Sequence, residues 1–268
     1  MGKIIAIANQ KGGVGKTTTS INLAAALAMM KRKIMLIDLD PQGNATVGSG
    51  ITKNTFTYAT QHVLLKEISI QQALQKTQGG FDLLPTNPEL IIAEVQLMQE
   101  TQQRESRLKE ILNTMIDQYD YILIDCPPAL NILTFNALVA ADSILIPIQC
   151  EYFALEGLSS LLQTIEQIQT SINPRLHIEG LLRTMYDGRN RLALDVSSQL
   201  TQHFPGRIYR TVIPRNVRLA EAPSHGLSVI QYDEKSQGAV AYLTLAGEML
   251  RREDSVESIQ KQEYAAGN

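Results

Sequence analysis

One stretch near the start of the chain, Gln10-Lys11-Gly12-Gly13-Val14-Gly15-Lys16-Thr17-Thr18-Thr19, restricts the possible folds more than any other. It follows an apolar run, Ile4–Ala8, that reads as a short buried strand. It precedes Ser20–Met30, whose Ala and Leu content favours a helix. Strand, glycine loop and helix in that order make the setting of a phosphate-binding loop. Glycines let the backbone turn tightly and aim N–H groups inward, and the helix N-terminus adds positive potential. Lys16 is then placed to reach β- and γ-phosphates and the Thr17 hydroxyl to bind Mg²⁺. The usual pattern has a glycine five residues before Gly15, where this chain has Gln10, and a second lysine, Lys11, stands ahead of a Gly-Gly pair.

The rest of the chain supplies a scaffold for such a loop. Apolar, β-branched runs recur at Ile4–Ala8, Ile34–Ile37, Phe81–Leu84, Tyr121–Ile124, Ile144–Ile148, Ile178–Leu182, Ile208–Ile213 and Leu227–Ile230. They are near-continuous rather than alternating, as expected of strands covered on both faces. Helical stripes lie between them. In Ser106–Gln118 the residues Leu108, Ile111, Leu112, Met115 and Ile116 share one face, and Leu155 to Ile168 repeat the pattern within Ala154–Gln169. The rhythm predicts an α/β fold with a doubly wound, mostly parallel sheet flanked by helices, and ligands at the strands' C-terminal ends. Thr52–Gly80, rich in Gln and Thr, is expected to be a surface excursion with short helices. Residues 1–252 read as one domain and 253–268 as a disordered polar tail.

A chain of 268 residues that is 44% apolar and 19% charged can bury a substantial core. A net charge of −3 argues against a histone-like nucleic-acid binder without excluding a local basic patch. Two cysteines, Cys126 and Cys150, read as reduced buried thiols, and no spacing resembles a zinc or iron–sulfur site. The apolar run after Lys3 is too short for a signal peptide, and Asp142 and Pro147 interrupt the longest apolar region. The chain is therefore expected to be cytoplasmic, without membrane attachment.

Three carboxylates end predicted strands. Asp38 and Asp40 follow Ile34–Ile37, and Asp125 follows Tyr121–Ile124. Alone, a strand-ending Asp is more often a cap or turn residue. Combined with the glycine loop, an apolar strand ending in Asp fits a carboxylate that holds Mg²⁺ directly or through water.

Lys11-Gly12-Gly13-Val14-Gly15-Lys16-Thr17-Thr18, followed by Asp38-Leu39-Asp40-Pro41-Gln42-Gly43-Asn44, resembles the ParA/MinD class of deviant Walker ATPases. Asp125-Cys126-Pro127-Pro128, Gln149-Cys150-Glu151-Tyr152, Thr184-Met185-Tyr186-Asp187 and Val212–Ser224 extend the likeness to Soj-type chromosomal ParA proteins, over about residues 1–250. The resemblance implies a P-loop NTPase fold, ATP and Mg²⁺ as cofactors, and an ATP-dependent homodimer in which Lys11 reaches the partner's phosphates. It makes Lys11 to Thr18 the phosphate loop, Thr17, Asp38 and Asp125 the Mg²⁺ shell, and Asp40 the water-orienting residue. Pro214 and Asn216 match the family's adenine-contacting loop, although an Asn in that position also reads as a helix cap. The resemblance further implies a ParB-type partner, nonspecific double-stranded DNA as a ligand, and association with the nucleoid when ATP is bound.

Residues 183–218 carry seven arginines against Asp187 and Asp195, a local excess of five positive charges. The family match singles out Arg189 and Arg218 as DNA-contacting residues, through phosphate-directed and salt-sensitive binding. A MinD-like membrane-surface ATPase is the main alternative. It needs a basic amphipathic C-terminal helix, whereas Arg251–Asn268 carries Glu253, Asp254, Glu257 and Glu263 against three cations. A biosynthetic ATP-dependent enzyme of the same superfamily would leave the arginine region without a role.

Overall fold

A computed structural model of the chain describes residues 2–53 and 55–266, with side chains described as far as Asp254. The strands are β1 (Lys3–Ile7), β2 (Ile34–Asp38), β3 (Gln75–Lys76), β4 (Asp82–Leu84), β5 (Tyr121–Asp125), β6 (Ser143–Gln149) and β7 (His177–Thr184). The helices are α1 (Lys16–Met29), α2 (Asn44–Gly48), α3 (Thr60–Leu64), α4 (Ile70–Ala73), α5 (Leu90–Gln99) and α6 (Arg107–Leu112). They continue with α7 (Ile132–Ala140), α8 (Ala154–Ser171), α9 (Arg191–His203), α10 (Val217–Glu221), α11 (Val229–Tyr232) and α12 (Gln237–Ala266).

The strands form one sheet in the order β3-β4-β2-β5-β1-β6-β7, parallel except for the β3–β4 pair. Side-chain alternation along each strand divides the apolar residues between two cores. Ile4, Ala6, Met35, Ile37, Ile122 and Ile124 face one layer with α3 to α9. Ile5, Ile7, Ile34, Leu36, Tyr121 and Leu123 face the other with α1, α11 and α12. With apolar neighbours on both faces, the central strands gain from continuous hydrophobicity, which is why their sequences do not alternate. The expected doubly wound architecture is present.

Several local expectations differ from the structure. Ile208–Ile213 is not a strand. Tyr209 donates its N–H to Leu181 O (3.0 Å) and Ile213 to Arg183 O (2.9 Å), but the residues between turn away. Glu248 intercepts them, accepting from Arg210 N (2.8 Å) and Thr211 N (2.9 Å). Leu227–Ile230 is also not a strand, because Ser228 and Gln231 form a capping box that starts α11. The helix expected over 106–118 ends at Leu112 and resumes as a 3₁₀ turn at Ile116–Gln118. Region 52–80 does form short helices, yet Val63, Leu64, Ile70 and Ala73 are buried in the core. The expected tail at 253–268 falls largely outside the residues with described side chains. Glu253, its first member, pairs with Lys3 Nζ at 2.7 Å.

Candidate functional site

The C-terminal ends of β1, β2 and β5 lie side by side at the middle of the sheet. The glycine loop leaves β1 at that edge and enters α1. Gly13 (φ 73°) and Gly15 (φ 89°) are in the left-handed region, where an L-residue costs roughly 1–2 kcal/mol. A Cβ at Gly12 or Gly13 would meet no atom within 4 Å, so the surface above them is open to an incoming group. The Thr184 hydroxyl at the end of β7 donates to Val14 O (2.7 Å) and pins the loop from behind. Helix α1 has no side-chain cap and no acidic residue in its first turn, so its N-terminal potential is left for an anion.

The two lysines have different settings. Lys16 is buried, and its Nζ donates to Lys11 O at 3.1 Å, inside the loop. Burial lowers its pKa, although Asp125 and Asp40 favour the charged form. Lys11 stands at the mouth. Its N–H donates to Asn9 Oδ1 (2.9 Å), and its half-exposed Nζ pairs with Glu151 Oε2 at 2.7 Å. Glu151 is held in turn by the Gln149 amide.

The carboxylates form the floor. Asp38 and Asp125 are register partners on adjacent strands, and both are fully buried. Asp125 accepts from Thr17 Oγ1 and Ser20 Oγ, each at 2.8 Å. Asp38 accepts from Thr46 N (2.7 Å), Thr46 Oγ1 (2.6 Å) and Asp40 N (3.3 Å). Burial raises the pKa of both carboxyls above the ordinary range, and the repulsion of Asp38 adds to the rise at Asp125. Asp40 sits in the following turn, where its Oδ1 accepts from Gln42 N at 3.0 Å.

These residues fit a nucleoside polyphosphate and a hard cation. The open glycine face, uncapped helix and Lys16 ammonium suit phosphate oxygens, and Thr17 with the two carboxylates offers only hard oxygen donors. Among the described residues no three His, Cys, Asp or Glu are grouped to hold a metal unaided. A cation here needs oxygens from the phosphate as well, as Mg²⁺ sites commonly do.

The arginine region sits at the sheet's β7 end, where Tyr186 pairs with Pro214 in an isolated bridge. Arg183 is committed internally, donating to Ser197 Oγ (2.9 Å), Tyr209 O (2.9 Å) and Arg210 O (3.2 Å). Arg189 is exposed and forks onto Asp187 through Nε and Nη2, both at 2.9 Å. That pairing holds the Asp187 carboxyl down at about 2. Arg218 pairs with Glu221 (2.8 Å) and Asp233 (3.2 Å) over the Tyr232 ring. Exposed pairs of this kind are screened by solvent and hold their partners weakly. Asn216 caps α10, its Oδ1 accepting from Arg218 N at 3.0 Å, which is the cap reading. Its Nδ2 has no partner among the described residues.

Ser20, Thr46 and Asn9 around the site carry no motif of their own, and Glu151 lies in the Gln149–Tyr152 stretch with no role assigned to it from sequence. Ser20 was recoverable, since it lies one helical turn beyond Thr17 on the same face. Thr46 and Glu151 meet their partners only through the tertiary fold.

A strand-loop-helix anion cradle over paired strand-end carboxylates, with a second lysine at its mouth, defines a P-loop nucleotide hydrolase of the deviant Walker type. A family model described as an AAA domain matches residues 2–178. The chain is 50% identical over 250 residues to the sporulation initiation inhibitor protein Soj of Bacillus subtilis, covering 93% of this chain and 98% of that one. It is 48% identical over 254 residues to the chromosome partitioning protein ParA of Myxococcus xanthus, covering 94% and 89%. The chain belongs to the ParA/Soj family of chromosome-partitioning ATPases. Its fold is shared by cobyrinic acid a,c-diamide synthase from Mycobacterium smegmatis, whose structure holds ADP and magnesium (TM-score 0.84, 36% identity, 95% and 96% coverage).

Proposed function

We propose that this chain is a Mg²⁺-dependent ATPase whose ATP-bound form pairs face to face as a sandwich dimer. The dimer binds double-stranded DNA nonspecifically and moves chromosomal or plasmid DNA together with a ParB-type partner. Hydrolysis returns it to the monomer, so it is nucleoid-associated with ATP and dispersed in the cytoplasm without it.

The carrying observation is the division of labour between the two lysines. Lys16 is buried in its own loop, whereas Lys11 stands half-exposed at the mouth with its ammonium paired to Glu151. A lysine so placed has the reach to contact a second copy's phosphates, and the open surface over Gly12 and Gly13 admits that copy.

Within one site, the loop N–H groups and Lys16 bind and orient the phosphates. Bound Mg²⁺ supplies positive charge against the phosphate oxygens. Thr17, with Asp125 and Asp38 behind it, holds that ion, while Thr46 and Ser20 keep the carboxylates in place. Asp40 orients the attacking water from the turn at 40–43. Pro214 and Asn216 form the adenine side, with Asn216 Nδ2 available to the base edge. Arg189 and Arg218 exchange Asp187 and Glu221 for DNA phosphates, and pairing of two protomers multiplies these weak contacts.

The test is DNA retention measured with ATP, with ADP and without nucleotide, alongside flotation with anionic liposomes. Retention confined to ATP, with no liposome binding, is expected. Nucleotide-dependent liposome binding without DNA binding would move the reading to the MinD-like class. Among the described residues no helix is long and apolar enough to cross a membrane.

A further inference from the structure

The end of β7 carries a backbone irregularity that the chemistry of the phosphate site leaves unexplained. Met185 has φ 47°, in the left-handed region that a residue with a Cβ enters only at a cost. The neighbouring hydrogen bonds show why the chain turns there. Ile213 donates its N–H to Arg183 O (2.9 Å), as in a parallel pair with Thr184. Regular parallel pairing would return the next bond from Met185 N to Ile213 O. That bond comes instead from Tyr186 N, at 3.0 Å. Met185 is thus one residue too many for the ladder, a bulge, and it sets Tyr186 opposite Pro214.

The bulge stands between two attachments. Before it, Thr184 is buried and donates its hydroxyl to Val14 O at 2.7 Å. A Cβ built at Gly15 would lie 3.8 Å from Thr184 Cβ and Cγ2, so the same side chain backs two residues of the phosphate loop. After it, Tyr186 holds Ile213 and Pro214, in the loop that also carries Asn216. Three consecutive residues therefore tie the phosphate loop to the loop assigned to the base. Strained residues persist where the surrounding structure demands them, and they gather at ligand clamps.

We propose that Thr184-Met185-Tyr186 is a brace that fixes the distance between the phosphate loop and the base loop, so that one nucleoside triphosphate engages both at once. Loops held at a fixed separation offer the second end of a ligand a high effective concentration, whereas loops that move independently must be ordered on binding. The brace rests on the proposed nucleotide reading. Thr184 and Met185 are positioning residues, acting through Val14 and Pro214.

Calorimetry with Mg²⁺–ATP and with Mg²⁺–tripolyphosphate, which has phosphates but no base, separates the two ends. The wild type should bind ATP about tenfold or more tightly than tripolyphosphate. Met185→Gly relieves the left-handed strain and frees the bulge. It should cut that ratio severalfold and leave the tripolyphosphate affinity nearly unchanged. Thr184→Val detaches the phosphate loop from β7 and should cut the ratio in the same way, whereas Thr184→Ser, which keeps the hydroxyl, should restore it. The two sites are substituted separately, so either variant that keeps the wild-type circular dichroism decides the question. Equal weakening of both ligands by Thr184→Val would make Thr184 a prop of the phosphate loop alone and overturn the brace. A wild-type ratio retained by Met185→Gly would overturn it too. A wild type that binds tripolyphosphate as tightly as ATP refutes the base loop and the brace with it, and one that binds neither ligand refutes the nucleotide reading itself.

Discussion

Replacing Asp125 by Asn should stabilise the nucleotide-free protein at pH 8 while destroying its site. Asp125 and Asp38 are register partners on neighbouring strands, both fully buried. Adjacent strands lie about 4.8 Å apart, so two ionised carboxylates here repel by about 3 kcal/mol at an effective dielectric constant near 20. Against this, Asn loses the charge assistance in the Thr17 and Ser20 hydrogen bonds, on the order of 1–2 kcal/mol. The net gain at pH 8 is about 1–2 kcal/mol. Both carboxyls have raised pKa values, so the folded chain binds their protons more tightly than the unfolded chain does. Their favourable contribution is complete below the unfolded carboxylate range and disappears as pH rises through the raised values. At pH 5, between those limits, the wild type already holds a proton at the pair, so the repulsion is absent and only the lost charge assistance remains. Urea unfolding in EDTA at the two pH values measures the difference. A variant destabilised equally at pH 5 and pH 8 would show that no such repulsion is stored in the floor of the site.

Lys16→Ala removes the loop's internal ammonium and should abolish ATP binding in calorimetry; retained affinity would displace the site. Asp40→Ala should still form an ATP-dependent dimer on a sizing column while phosphate release falls at least tenfold. Glu151→Gln removes the ion pair that restrains Lys11 and should lower the ATP concentration needed for dimerisation severalfold, as read by sedimentation velocity. Arg189→Glu with Arg218→Glu should lose DNA retention but keep the ATP dimer, and the wild-type retention should itself fall steeply with salt.

The parts of the site legible in the sequence were those written in local chemistry. Strand, glycine loop and helix are contiguous, and Asp38 and Asp125 each close a run of apolar residues, so one pass along the chain locates them. The misjudged segments fail for a tertiary reason. Tyr209 and Ile213 have the apolar character of strand residues and are buried, but a carboxylate from α12 takes the N–H groups between them. Val229 follows a capping serine, and its N–H donates to Asn22 Oδ1 (2.7 Å) on α1. Glu151 likewise looks like a loop acid until the fold brings it against Lys11, 140 positions earlier. Sequence spacing specified the catalytic loop, whereas its restraint is a property of packing.

The Glu248 contact has a consequence at the level of many molecules. An open sheet edge with free N–H and C=O groups invites strands from other copies. Beyond β7, residues 208–213 cover the edge, and the N–H groups of Arg210 and Thr211 are already engaged by Glu248. The opposite edge is the two-residue β3, too short to template growth, with Lys76 exposed on it. The sheet is thus closed against strand-to-strand aggregation at both of its ends, however densely copies are packed.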